Sequence, residues 1–173
     1  AAAGEAELAA ALEELVLKRG GSRSHSSVLV QRRVQGILCE PAVFLVEGRA
    51  VETRFVTEVL GNRAFRTMSE EEALEQVFAG DRKELEAVLG EVRRLSGLLL
   101  RWLVADGGEA PTFVRLDFLV ARAPSGELET WTCEVCEQGG GLCGLSGGRP
   151  VAFQALLRRC LAPPGPLAGA QQA

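Results

Sequence analysis

The sequence has no excess of positive charge. Across 173 residues, 19 Lys+Arg face 23 Asp+Glu, a formal net charge of −4. That balance argues against a domain whose affinity comes from covering nucleic-acid phosphates, since such domains are usually basic. There is no long apolar run either. The best stretch, Leu98–Val104, is broken by Arg101 and falls far short of the ~20 residues a membrane helix needs. No G-K-[ST] occurs, so a P-loop is excluded. The five cysteines are odd in number and do not read as a disulfide framework, so a reducing, cytoplasmic setting is expected. The start Ala1-Ala2-Ala3, with Met68 the only methionine, leads to the expectation of more chain upstream. Glu5 and Glu7 do not suit the basic region of a secretory signal. Tyrosine is absent, which has the character of coding bias.

What is present is an ordinary globular composition, 47% hydrophobic and 24% charged, in a chain long enough for one domain. We read residues 1–161 as that domain and 162–173 (APPGPLAGAQQA) as a flexible tail. Leu8, Leu12, Leu15 and Val16 recur at helical spacing over 5–18, and Gly20-Gly21 ends the helix. The only histidine, His25, sits in a Ser-rich loop and reads as solvated. Val28–Val34 has the pattern of a strand, and Cys39-Glu40-Pro41 that of a break. Residues 43–46 and 50–56 predict a hairpin around Glu47-Gly48, with a third strand over 62–68. Ser69 followed by three glutamates is a helix N-cap signature.

Leu85, Val88, Leu89, Val92, Leu95, Leu99, Trp102 and Leu103 keep one apolar stripe over 82–104. Two strands follow, 112–122 and 128–137, turning through Pro124-Ser125-Gly126. After a Gly-rich loop over 139–148 comes a last helix at roughly 151–161. The expected architecture is α+β, an antiparallel sheet with helices packed on one face.

The last hairpin carries the chemistry. With Ser125-Gly126 at its tip, paired residue numbers sum to 251. Leu116–Val135, Phe118–Cys133 and Val120–Trp131 then share the core side, because side chains alternate along a strand. The wet side pairs Asp117 with Glu134, Arg115 with Cys136 and Leu119 with Thr132. Two carboxylates directly opposite repel, unless a hard cation bridges them or a cation such as Arg115 neutralises both. Both readings stay open on this spacing alone.

V-R-L-D-F-L-V (114–120), a turn, and C-E-V-C (133–136) resemble the R-x-D…E-x-N signature of the ATP-grasp superfamily. The helix at 5–18 with V-L-V-Q-R-R-V (28–34) is similar to the helix and hinge strand that contact adenine there. Glu40 and the hairpin V-F-L-V-E-G-R-A-V (43–51) resemble that family's E-x-R-V-F-V-V-D-G-K-V-V region. The likeness spans roughly residues 5–160 and implies a C-terminal ATP-grasp lobe. By the same resemblance, Asp117, Glu134 and Cys136 stand at metal positions for Mg²⁺ on ATP, and Arg115 stands where charge is transferred. Gln31, Arg32, Arg33 and Val34 would line adenine, and Glu40 would face the ribose.

The complete enzyme would then phosphorylate a small-molecule carboxylate, and an amine or other nucleophile would displace the phosphate. Cys136 replaces the family's Asn, Ala42 the usual Arg after Glu40, and Arg33 a common aromatic. The family's N-terminal half, with its phosphate-gripping loop and lysines, has no counterpart in these residues. The chain is therefore expected to be part of a longer ligase, open to oligomerisation and inactive alone. The rival expectation is a non-catalytic ATP-grasp-like binding or scaffold domain.

Other motifs point to less. Cys133-x-x-Cys136 lies in a strand, where positions i and i+3 face opposite ways, unlike a zinc knuckle or a helix-opening redox motif. The G-x-G-x-x-G at 139, 141 and 144 is followed by no βαβ unit.

Overall fold

The computed structural model describes residues 4–18, 33–59, 64–105, 109–136, 145 and 147–162. The chain divides into two units, Ala1–Val34 and Gln35–Ala173. The first contains helix α1 (Glu5–Lys18), with Glu5 and Glu7 in its first turn where the dipole favours negative charge. The expected strand at 28–34 falls mostly outside the described residues, as do His25 and 163–173. Arg33 and Val34 are described and belong to no strand.

The second unit is a five-stranded antiparallel sheet, in the order β3-β2-β1-β4-β5, with helices on it. Its elements run β1 (Ile37–Val46), β2 (Arg49–Val59), β3 (Ala64–Met68), α2 (Glu70–Gln76), α3 (Arg82–Leu103), β4 (Phe113–Arg122), β5 (Leu128–Cys136) and α4 (Arg149–Leu161). The α+β reading holds. Among the described residues no helix is long and apolar enough to cross a membrane.

Local chemistry explains the elements. Glu47 and Gly48 both have positive φ (49° and 77°), and Val46 pairs Arg49, the two-residue turn that matches strand twist. Ser69 caps α2 with a reciprocal box. Its hydroxyl accepts from the Glu72 N–H, and its own N–H donates to the Glu72 carboxylate. Asp81 caps α3 by accepting from the N–H groups of Lys83 and Glu84. Gly36 opens β1 at φ +66°, where a Cβ would lie 2.6 Å from the Arg122 carbonyl oxygen. Only glycine fits there.

The expected break at Cys39-Glu40-Pro41 is corrected. These residues continue β1, the central strand. Proline is tolerated because the β1–β4 register runs Cys39↔Val120 and then Ala42↔Asp117, with no paired residues between.

The strands present two faces. Val43, Leu45, Phe55, Val114, Leu116, Phe118 and Val120 meet Leu85, Val88, Leu89 and Val92 of α3, with α2 beside it. That is the helical layer expected on one face. On the opposite face Ala42, Phe44, Val46 and Phe113 meet Leu145 and, from α4, Ala152 and Ala155. Each large side chain so buried contributes about 1.5–3 kcal/mol. Trp102, expected in the stripe of α3, is 68% exposed, because the buried row follows Val92 and Ser96 instead.

The last hairpin begins as expected and then slips. Arg115↔Cys136, Leu116↔Val135 and Asp117↔Glu134 hold, but beyond a bulge Phe118 pairs Thr132, Leu119 pairs Trp131 and Val120 pairs Thr130. Cys133 is the extra residue and pairs with nothing on β4. It and Trp131 are therefore exposed, and not the core residues expected of them.

Candidate functional site

The face of the sheet that α4 only partly covers holds a cleft of about 420 Å³. Consecutive strands build its floor in rows. Arg54, Ala42, Asp117 and Glu134 form one row from β2 to β5, and Glu52, Phe44, Arg115 and Cys136 the next. Glu40 and Val56 continue it on β1 and β2, and Phe65 and Thr67 line it from β3. The volume lies within the roughly 300–1,000 Å³ typical of small-molecule sites.

Arg115 is the organiser. Its Nε donates to both Asp117 carboxylate oxygens at 2.8 and 3.0 Å, and its Nη2 donates to Oδ2 at 2.6 Å. The same Nη2 reaches Glu134 Oε1 at 3.3 Å and Cys136 Sγ at 3.2 Å. The Cys136 thiol donates in turn to Glu134 Oε1 at 3.1 Å. Asp117 is 0% exposed, so its charge depends on this fork. Three carboxylates, Glu40, Asp117 and Glu134, surround one guanidinium here. Their summed charge is negative.

Titration follows from that crowding. Burial pushes the Asp117 carboxyl up, against the pull of Arg115, and its hydrogen bond with Glu134 adds to the rise. Glu134 moves down, held first by the Cys136 thiol and then by Asp117 and Arg115. Glu40 is raised by burial and by the two acids across the cleft. The Cys136 thiol is pushed up to about 11, by burial and by its bond to Glu134, so it is protonated at neutral pH. Cys133 is raised by burial and then by the charges of Glu40, Glu134 and Asp117.

One ligand atom each from Asp117, Glu134 and Cys136 lie within 4.8 Å of one another. The two carboxylates suit a hard divalent cation such as Mg²⁺. A protonated thiol does not, since sulfur prefers softer metals. Asp117 and Glu134 thus fit such an ion and Cys136 does not. A cation entering here shares Asp117 with Arg115.

Of the residues singled out from sequence, Arg115, Asp117, Glu134, Cys136 and Glu40 come together at this cleft. Gln31 and Arg32 lie outside the described residues, and Arg33 and Val34 belong to the N-terminal unit. Sequence reasoning missed Arg54, Phe65 and Thr67. Counting back from the Glu47-Gly48 turn sets Arg54 against Pro41. A shift between Phe44 and Leu45 sets it against Ala42 instead, on the cleft face. There Arg54 pairs with Glu52 at 2.5 Å, and Glu52 also accepts from the Gly148 N–H at the start of α4.

Comparison of the chain with family models, with curated proteins and with solved structures finds no match.

Proposed function

We propose that this chain carries the metal–phosphate corner of an ATP-grasp-like lobe, the C-terminal portion of an ATP-dependent carboxylate ligase. The observation that supports the reading most is the direct pairing of Asp117 with Glu134 on the cleft face, with Glu40 on the same floor. Opposed carboxylates cost stability unless something positive serves them both. In this reading Asp117 and Glu134 hold Mg²⁺ on ATP phosphates, and Arg115 meets the negative charge beside it. Glu40 takes a ribose hydroxyl. Transfer of the ATP γ-phosphoryl to a carboxylate acceptor would leave ADP and give an acyl phosphate, from which an amine or other nucleophile would expel inorganic phosphate.

A second reading has a specific observation in its favour. Cys136 offers a protonated thiol where the third metal ligand would stand, and Arg115 already pairs with both Asp117 and Glu134. A non-catalytic ATP-grasp-like binding domain would tolerate both. The two readings share the cleft and differ in turnover.

Calorimetric titration of the full chain with Mg·ATP tests what they share. Saturable binding that Asp117→Asn and Glu134→Gln each weaken at least tenfold is expected. Nucleotide affinity that neither substitution changes would refute the reading. Phosphate release in the presence of carboxylates then separates ligase from binding domain.

A further inference from the structure

On the other side of the sheet, between α3 and the turn end of the β1–β2 hairpin, lies a second cleft of about 320 Å³. Its walls are largely apolar, with Val43, Leu45, Leu89, Val92 and Leu100 among them. Small residues leave the space. Gly97 on α3 and Ala50 on β2 both line it, where larger side chains would fill it. Ser96 also lines it, is only 6% exposed, and its hydroxyl has no hydrogen-bond partner among the described residues. A buried hydroxyl left unmade is a standing cost, and native interiors satisfy most such groups. The charged residues at the rim, Glu70 and Arg93, are exposed and opposite in sign, so the mouth favours neither ion.

We infer that this cleft binds a small, mostly apolar molecule carrying one neutral hydrogen-bonding oxygen, which meets the Ser96 hydroxyl. The apolar walls supply affinity, as in most small-ligand sites, and the buried Ser96 hydroxyl, with Thr53 also on the lining, fixes orientation. A charged head group is disfavoured at that depth, because among the described residues the only charges on its lining are those at the rim. The site is separate from the carboxylate cleft, and neither needs the other.

Octan-1-ol and octanoate are the probes, titrated calorimetrically into the full chain. Octan-1-ol is expected to bind saturably, one per chain, with octanoate at least tenfold weaker. Ser96→Ala weakens octan-1-ol about three- to tenfold and raises the Tm of the free chain, since an unsatisfied hydroxyl is removed. Gly97→Leu fills the cleft from the helix side. A Cβ there meets nothing nearer than Arg101 Nη1 at 3.7 Å, and leucine suits a helix better than glycine. That variant is expected to keep its circular dichroism and Tm and to lose binding at least tenfold. Ala50→Ile blocks the same space from the strand and serves if Gly97→Leu does not fold. The proposal is overturned by unsaturable binding of octan-1-ol, by undiminished binding in the filled variants, by full affinity in Ser96→Ala, or by octanoate binding as tightly.

Discussion

Arg115 decides whether the buried Asp117 can stay ionised. With the aspartate at 0% exposure, the bidentate guanidinium replaces the water that would otherwise solvate it. Removing one partner of such a pair strands the other. Arg115→Met is therefore expected to cost about 3–5 kcal/mol at neutral pH, read by urea denaturation. The loss should shrink as pH falls, because without the arginine Asp117 escapes its charge by taking a proton. Glu40 gives the opposite kind of test. Its folded pKa lies above the ordinary 4.5, raised by burial and two neighbouring acids. A raised carboxyl favours folding below the unfolded value, and that contribution is lost as pH rises through the folded one. Glu40→Gln should therefore gain stability relative to the parent as pH climbs above about 4.5. A constant difference across that range would contradict the assignment.

Elements were legible where one local signal set them. The Ser69 cap, the Glu47-Gly48 turn and the apolar row from Leu85 to Val92 all sit where their spacing predicts. Ser69→Ala is expected to lower stability by about 1 kcal/mol, checked by the shift in Tm. What failed was register beyond a bulge. Alternation arithmetic is correct up to Asp117↔Glu134 and one residue off from Phe118 onward, because Cys133 is an inserted residue with no spacing signature. The same blindness hid Arg54 behind the shift in β1–β2. Deleting Cys133 gives a direct check. Pairing on both sides of the bulge is consistent with a straight ladder once that residue is gone. The deletion should thus keep the β4–β5 amides protected from exchange, and loss of that protection would contradict the register.

The whole sheet has one face closed by α2 and α3 and the other only partly covered by α4. That second face is where β1 brings Glu40 beside the Asp117–Glu134 pair of the last hairpin, so the cleft is a property of the tertiary fold. Its core in Asp117 and Glu134 was readable because both lie on one hairpin, while Phe65 and Thr67 arrive by topology alone. The claim that this row serves a hard divalent cation is best tested with Mn²⁺, whose ligand preferences resemble those of Mg²⁺ and whose paramagnetism reports bound and free ion. Electron paramagnetic titration of the full chain should find one saturable ion, lost in both Asp117→Asn and Glu134→Gln and kept in Cys136→Ala. Unaltered Mn²⁺ binding in the two carboxylate variants, or no binding in the parent chain, would contradict it.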